Sequence, residues 1–280
     1  MVFVHGFGAS LEQYREQLPF FLEHHDTFAV DLLGLGMSDK PPDVTYSIDL
    51  WSDQLADFVT SIVGGPAIVI GNSIGSLCSI TAAARSTAPI EGLVLLNCAG
   101  GMNSKLLLEE DWTPLLKLVI RPVLSLFDFV LTSPSTRELA RSFFENTRSR
   151  ENVNRTLQTV YLNQDRVDDE LVEQILRPAK QDTAFDVFCK ILSGPPGTYP
   201  AALLPAVQVP ILVIWGSEDP WTPIKGPLGK YMVELAQQRG DVQMNVIPCG
   251  HCPHDDAPDE VNALISTWLK GNPKSPQSPP

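Results

Sequence analysis

The amino-acid sequence predicts an α/β fold, a mostly parallel, doubly wound sheet with an inserted block of helices. Short apolar segments typical of strands alternate with helical patterns at both ends of the chain. Several of these segments lack the apolar/polar alternation of half-buried strands, as expected when helices cover both faces of a parallel sheet. Between residue 98 and about residue 205 the alternation stops, and helical patterns follow one another without strands.

Six segments are predicted to be strands and four to be helices. The strands span residues 2–4, 28–32, 67–70, 93–96, 211–215 and 243–247. The helices span residues 11–22, 50–63, 76–85 and 259–269. Because strands and helices alternate, we expect right-handed crossovers between parallel strands.

The length and composition allow one large core that carries an insertion, since 44% of the 280 residues are hydrophobic. We predict that residues 1–97 and 206–270 form this core and that residues 98–205 form a helical cap. Residues 271–280 are rich in Pro, Ser and Lys and are predicted to be a disordered tail. The chain opens on what resembles the last part of a buried strand, so we expect the natural N-terminus, with any targeting segment, to lie upstream.

Charge and cysteine content restrict the partners and the compartment. A formal net charge of -13 argues against long-range attraction to a phosphate backbone or to anionic lipid, so no nucleic acid is expected as a partner. The 5 cysteines are few and odd in number, unlike the disulfide framework of a small secreted domain. A reducing compartment fits this composition better.

A nucleophile motif lies between the third predicted strand and the helix that follows it, Gly71-Asn72-Ser73-Ile74-Gly75. A G-x-S-x-G sequence in this strand-turn-helix context is typical of the nucleophile elbow of the α/β-hydrolase fold. Small residues on both sides allow the strained turn, and the helix N-terminus stabilises negative charge near Ser73. The motif alone would also fit a tight turn without catalytic function.

The segment His5-Gly6-Phe7-Gly8 follows the first strand, where this fold places one donor of the oxyanion hole. We predict that the backbone N–H groups of Phe7 and Ile74 are the two donors. The loss of one such donor typically raises the barrier by about 2.7–4 kcal/mol. His5 itself is expected to brace the turn.

The acid and the base are expected late in the chain, because this fold places them in the order Ser, Asp or Glu, then His. Asp219 follows the fifth predicted strand and is predicted to orient the histidine, with Glu218 as the neighbouring alternative. His251 follows the sixth strand and is predicted to be the general base. His254 is expected to start a helix or to lie at the surface.

Cys249 and Cys252 flank His251 in a C-x-x-C pattern that also occurs in dithiol redox sites. Such sites need a lowered thiol pKa, and the following Pro253 and two acidic residues are a poor setting for it. A regulatory disulfide that distorts the His251 loop stays open as an alternative.

Four segments together resemble one family of hydrolases: Gly71-Asn72-Ser73-Ile74-Gly75-Ser76, Leu95-Leu96-Asn97-Cys98-Ala99-Gly100-Gly101-Met102-Asn103, Leu192-Ser193-Gly194-Pro195-Pro196-Gly197 and Gly250-His251-Cys252-Pro253. They are similar to the chlorophyll dephytylases, chloroplast α/β-hydrolases related to pheophytinase that cleave the phytyl ester of chlorophyll. The resemblance runs from about His5 to Leu269. It implies the same roles for Ser73, Asp219 and His251, a chloroplast location, and contact of the cap with the thylakoid membrane.

Residues 115–131 of the cap are nearly all apolar, interrupted by Lys117, Arg121, Pro122 and Asp128. The segment is too short and too charged for a membrane span, which needs about 20 apolar residues. It fits either a buried cap helix or a lid that borders an apolar pocket or touches lipid. We expect Leu124 and Phe127 to line the substrate pocket.

These observations predict a serine carboxylic ester hydrolase that acts through an acyl-enzyme on an apolar ester such as chlorophyll. No metal or organic cofactor is required. The alternatives are a serine-dependent carbon–carbon bond hydrolase, a general carboxylesterase or lipase, and a ligand-binding protein on a hydrolase scaffold. Dehalogenase and epoxide hydrolase chemistry are disfavoured, since those relatives use an aspartate where Ser73 stands.

Overall fold

The computed structural model describes residues 1–108 and 114–271, and its centre is a six-stranded sheet. The strand order is β2-β1-β3-β4-β5-β6, and every neighbouring pair is parallel. The strands are β1 (Val2–Val4), β2 (Phe28–Val30), β3 (Ala67–Asn72), β4 (Ile90–Leu96), β5 (Ile211–Gly216) and β6 (Val242–Ile247). The predicted α/β-hydrolase fold with a parallel sheet is confirmed.

Helices connect and cover the strands. The α-helices among the described residues are α1 (Gln17–Leu22), α2 (Ile48–Phe58), α3 (Ile74–Arg85), α4 (Pro114–Thr132), α5 (Arg137–Thr147), α6 (Arg150–Val160), α7 (Asp169–Ala179), α8 (Ala184–Ser193), α9 (Pro200–Leu203), α10 (Pro227–Gln238), α11 (Pro253–Asp256) and α12 (Pro258–Gly271). A π-helical turn, Val59–Val63, extends α2, and short 3-10 helices span Leu11–Tyr14, Ser104–Leu108, Pro134–Thr136, Gln164–Arg166 and Leu204–Ala206.

Two helices differ from the sequence prediction. The predicted helix 11–22 is split, and α1 begins only at Gln17. A continuous helix would have Pro19 in its interior, whereas a start at Gln17 puts Pro19 in the first turn, where its missing N–H removes no intrahelical bond. Helix α10 was missed, because the long loop between Gly216 and Gly226 interrupts the alternation of strands and helices.

Each face of the sheet packs against its own set of helices. Leu93 and Leu95 of β4 enter an apolar cluster with residues of α2, α3 and α10. Val94 and Leu96 point the other way, into a cluster with residues of α1 and α12. Both faces are therefore buried, which explains why the sequences of the central strands show no alternation.

Residues 98–205 connect β4 to β5, and in the described part of this segment all regular structure is helical. Two apolar clusters lie within it. One joins α6 and α7 and includes Cys252, which follows β6. The other joins α4, α5 and α8. Residues 272–280 of the predicted tail lie outside the described residues, and Gly271 ends α12.

Candidate active site

Ser73 is the single residue between β3 and α3, and its backbone has φ 54° and ψ -117°. Such a strained conformation persists only where the surrounding structure holds it, and here α3 packs closely against β1. A Cβ atom built on Gly75 would lie 2.2 Å from the carbonyl oxygen of Val4, so no larger residue fits there without displacing β1. The local sequence thus folds into a sharp turn that presents Ser73 to a cavity with a mostly apolar wall.

The two predicted oxyanion donors lie beside this turn. Ile74 is the first residue of α3, where a backbone N–H has no intrahelical acceptor. The loop that contains Phe7 passes next to the serine, since a Cβ atom built on Gly6 would lie 3.3 Å from Ser73 Cβ. His5 holds this loop: its Nδ1 is 2.7 Å from the Gly6 carbonyl oxygen, and its Nε2 accepts from the Leu32 N–H at 3.1 Å.

Asp219 lies in the loop after β5 and is almost fully buried. Its Oδ2 accepts from His251 Nδ1 at 2.8 Å, from Thr222 Oγ1 at 2.5 Å and from Asn97 Nδ2 at 2.5 Å. Its Oδ1 accepts from the N–H groups of Trp221 and Thr222. Burial alone would raise the pKa of Asp219, but the hydrogen bonds from the side chains of His251, Thr222 and Asn97 and the charge of His251 lower it to about 2. The carboxylate is therefore ionised at neutral pH.

His251 is buried, and its imidazole borders the same cavity as Ser73. Because Asp219 is ionised, Nδ1 of His251 carries the proton of their hydrogen bond, which leaves Nε2 as the ring nitrogen that can accept a proton. The indole of Trp221 packs edge-on against the imidazole, with ring centroids 4.9 Å apart. This environment can supply a general base to a hydroxyl group in the cavity.

The cavity next to Ser73 has a volume of about 380 Å³ and a mostly apolar wall. The cap contributes a large part of that wall, including Phe144, Val153, Leu157, Ile175, Val187, Phe188 and Ile191. Two cationic side chains also border it. Lys40 Nζ donates to the carbonyl oxygens of Gly36 and Ser38, and the Arg148 guanidinium is paired with Glu145.

The structure corrects the expectation that Leu124 and Phe127 of α4 line the pocket. Among the described residues, the cavity wall includes Phe188 of α8 but neither Leu124 nor Phe127. The Phe127 ring packs against Phe143, which in turn packs against Phe188. Helix α4 thus lies one layer outside the cavity. Its sequence is apolar on both faces and does not reveal which side chains meet a cavity.

Two residues that contact Asp219 or His251 were not singled out from the sequence as site residues. Asn97 bonds to Asp219, and Trp221 contacts His251. The only sequence signal for Asn97 is its position directly after a strand, where its φ of 41° suits asparagine. Glu218, the alternative acid, contacts Ser217 Oγ and not the histidine.

His254 lies at the start of helix α11, as one of its two expected placements had it, but it is not a surface residue. It is fully buried in the short helix α11, and its ring packs on Tyr14 with centroids 4.6 Å apart. Burial lowers its pKa to about 4, so the imidazole is neutral over most of the physiological range. Both of its ring nitrogens lack a hydrogen-bond partner among the described residues.

Cys249 and Cys252 are both buried free thiols. Burial and the nearby Asp255 raise the pKa of Cys252 to about 12, and burial also raises the pKa of Cys249. Dithiol redox chemistry needs a thiolate, which this environment opposes. In the described ranges, no group of three or more His, Cys, Asp or Glu side chains could hold a metal ion.

Comparison with known proteins agrees with this architecture. The model of the "Alpha/beta hydrolase family" matches residues 1–264. The chain is 27% identical to "Pheophytinase, chloroplastic" of Arabidopsis thaliana over 317 residues, which cover 96% of this chain and 61% of that protein. The chain thus spans about three fifths of the length of that relative.

Solved structures share the fold at low sequence identity. A serine hydrolase involved in carbazole degradation has a TM-score of 0.71 and 21% identity, over 97% of this chain and 90% of that chain. A thermophilic esterase from Thermogutta terrifontis has a TM-score of 0.67 and 22% identity, over 96% of this chain and 89% of that chain.

Proposed function

This chain belongs to the α/β hydrolase family, and on that premise we propose that it is a serine carboxylic ester hydrolase that acts through an acyl-enzyme. One observation carries the proposal. Ser73 sits on the strained turn and faces the same cavity as His251, whose Nδ1 donates to the ionised Asp219 at 2.8 Å. A nucleophile, a base and an acid that orients the base are the groups that acyl transfer needs.

Each group has a role in the proposed reaction. The Ser73 hydroxyl attacks the ester carbonyl while His251 Nε2 takes its proton, and Asp219 stabilises the imidazolium that forms. The N–H groups of Phe7 and Ile74 hold the developing oxyanion. His251 then returns the proton to the leaving alcohol, and water, activated by His251, releases the acid from Ser73.

The cavity favours an apolar ester over a charged substrate. Carbon–carbon bond hydrolysis of a diketone acid would use the same triad, but a cation is needed to bind the substrate carboxylate. Lys40 already donates to two carbonyl oxygens, and Arg148 is already paired with Glu145. An alkyl chain, in contrast, finds a wall of aliphatic and aromatic side chains from α5 to α8.

We propose further that the substrate is the phytyl ester of chlorophyll or a related pigment, and that the protein acts in the chloroplast. The apolar wall and the similarity to a chloroplast pheophytinase support this substrate and location. Small-molecule sites typically enclose about 300–1,000 Å³. A cavity of about 380 Å³ suits an alkyl chain and its ester, so the tetrapyrrole ring is proposed to stay at the mouth.

The outer face of α4 supports contact with a lipid surface. Leu118, Val119, Val123, Leu126 and Phe129 expose 52–71% of their surface, an unusual apolar stripe for a helix on the outside of a protein. Lys117 and Arg121 lie on the same helix and suit anionic headgroups, although the whole chain has a net charge of -13. We propose that this face rests on the membrane in which phytyl esters dissolve.

Contact of α4 with a lipid surface differs from a helix that crosses the bilayer. No single helix within residues 1–108 and 114–271 is long and apolar enough to cross a bilayer. Residues 117–132 and 134–147 together have the length and composition, but the two helices meet at an angle of 82°.

The function is tested by incubating the protein in parallel with chlorophyll, pheophytin and a short aryl ester. We expect phytol from at least one pigment, hydrolysis of the aryl ester, and neither product from Ser73→Ala. Activity on a vinylogous diketone acid with none on esters would favour carbon–carbon hydrolysis instead. No turnover, together with no labelling of Ser73 by a fluorophosphonate, would favour a ligand-binding protein.

A further inference from the structure

The loop that carries His251 is in direct backbone contact with the cap. The His251 N–H donates to the carbonyl oxygen of Val160, the last residue of α6, at 2.8 Å. The two backbone segments are so close here that a Cβ atom built on Gly250 would lie 1.9 Å from the Val160 carbonyl oxygen. The position of the proposed base therefore depends on where the cap rests.

A single buried carboxylate bonds to both segments. Asp256 Oδ2 accepts from the Gly250 N–H at 2.5 Å and from the Leu162 N–H at 2.9 Å. Its Oδ1 accepts from the Asn163 N–H at 2.7 Å. One donor thus precedes His251 in the loop, and the other two follow α6 in the cap. All three bonds come from backbone N–H groups.

The neighbouring Asp255 has a different set of partners. It is fully buried, and it accepts from Arg15 of the core and from Tyr161 and Arg166 of the cap. These side chains fasten α11 between core and cap. Of the two carboxylates, only that of Asp256 accepts from Gly250, the residue before His251.

We propose that Asp256 is a positioning residue that acts through His251 by fixing the His251 loop against the cap. This inference rests on the proposed function, because it takes His251 as the general base. Three hydrogen bonds then fix the backbone of His251. Asp256 accepts from the N–H of the preceding Gly250, Val160 accepts from the His251 N–H, and Asn72 Nδ2 donates to the His251 carbonyl oxygen at 3.1 Å. A small displacement of a catalytic group slows the reaction without weakening substrate binding in proportion.

The three donors explain why a carboxylate is needed. An ionised carboxylate only accepts hydrogen bonds, whereas an asparagine amide has one accepting oxygen and one donating NH₂ group. Asp256→Asn would therefore turn an NH₂ group toward at least one backbone N–H and leave that N–H unsatisfied. The side chains of aspartate and asparagine have nearly the same size, so the change affects bonding more than packing.

The first test compares Asp256→Asn with wild type on 4-nitrophenyl butyrate, with active sites counted by fluorophosphonate titration. We expect kcat per titrated site to fall by about ten- to a hundredfold while KM stays within about twofold. The downfield NMR resonance of the His251 Nδ1 proton should shift or broaden.

Val172→Ala is the matched control, because Val172 is buried in the cap cluster of α6 and α7 but is not part of the cavity wall. It should lower Tm and leave both kcat per titrated site and the His251 resonance near the wild-type values. If Asp256→Asn behaves in the same way as Val172→Ala, Asp256 only supports the fold and the proposal is wrong.

A second pair of variants decides the matter if Asp256→Asn does not fold. Asn163 has φ -83°, close to the value that proline fixes, so Asn163→Pro removes the N–H with little backbone strain. Asn163→Ala loses the same side chain and keeps the N–H. We expect a lower kcat per titrated site for the proline variant than for the alanine variant, and equal values would contradict the proposal. A wild-type protein that the fluorophosphonate does not label would instead refute the proposed function.

Discussion

The Asn97 side-chain amide donates to Asp219 Oδ2 at 2.5 Å, the same carboxylate oxygen that accepts from His251. Asn97 Oδ1 in turn accepts from the Gly216 N–H at 2.9 Å. Asn97 follows β4 and Gly216 ends β5, so one amide ties the acid to two neighbouring strands. Asn97 also helps to lower the pKa of Asp219 to about 2.

Removal of the Asn97 side-chain amide should weaken the support that Asp219 gives to His251. Asn97→Gly tolerates the positive φ and deletes the side chain, and a hydrogen bond to a charged group is worth about 1.5–3 kcal/mol. We expect kcat/KM on a short aryl ester to fall by about tenfold or more. Asn97→Asp should lose more, because a second carboxylate would face Asp219. Asn103→Gly is the control, since the Asn103 amide bonds to the carbonyl oxygens of Ile191 and Gly194 instead.

His254 should make stability depend on pH. Its folded-state pKa of about 4 lies below the ordinary value of 6.5, so the folded protein favours the neutral form. Stability is then fully present above about pH 6.5 and is lost as the pH falls toward 4, by about 3 kcal/mol for this group. In His254→Phe, which keeps a ring on Tyr14, the urea midpoint should change less between pH 7 and pH 4.5. An unaltered pH dependence would contradict this, and His24→Phe serves as the exposed control.

The cavity wall should set the preference for long alcohols. A buried methylene is worth about 0.8 kcal/mol, so esters of long isoprenoid alcohols should have a much higher kcat/KM than ethyl esters of the same acid. Ile175→Asn, in the wall, should reduce kcat/KM for the long ester by about tenfold and leave a short aryl ester nearly unaffected. Leu124→Asn is the matched half-buried control outside the wall. Equal effects of the two variants would mean that the wall does not select the alcohol.

The exposed face of α4 should bind vesicles. Co-sedimentation with phosphatidylcholine–phosphatidylglycerol vesicles should weaken by about tenfold or more in Leu118→Ser/Leu126→Ser, because two apolar anchors are lost. Leu22→Ser/Ile62→Ser replaces two residues of similar exposure elsewhere and should pellet like wild type. Equal pelleting of the two double variants would contradict the lipid contact. A dimer that covers this face would also contradict the lipid contact. Light scattering would then give a wild-type mass near twice 30.7 kDa and a monomeric mass for the α4 variant.

The parts of the molecule that could be predicted from sequence are those with local signals. Ser73 is marked by a strand, a turn with glycines and a helix, and the order of strands placed Asp219 and His251 after their strands. Asn97 also directly follows a strand, but no local pattern reveals its bond to Asp219, because the two residues lie 122 positions apart. Its role follows only from the adjacency of β4 and β5.

The surroundings of α4 and of His254 also differ from the sequence prediction, because both depend on residues distant in the chain. Helix α4 is apolar on its inner and its outer face, so its sequence could not tell which side chains meet a cavity. His254 follows Pro253 at the start of α11, as a helix-start residue would, but its burial depends on Tyr14, which lies 240 positions earlier in the chain. Tertiary neighbours, which no local pattern encodes, decided both positions.

The central claim is that Ser73 forms a covalent intermediate with the help of His251 and Asp219. The most direct measurement is rapid quenching of the reaction with a 4-nitrophenyl ester, followed by mass mapping of the trapped acyl group. We expect the acyl group on Ser73, in a burst that is lost in Ser73→Ala and strongly slowed in His251→Ala and Asp219→Asn. Steady ester hydrolysis without any acyl group on Ser73, or with the acyl group on another residue, would contradict the account.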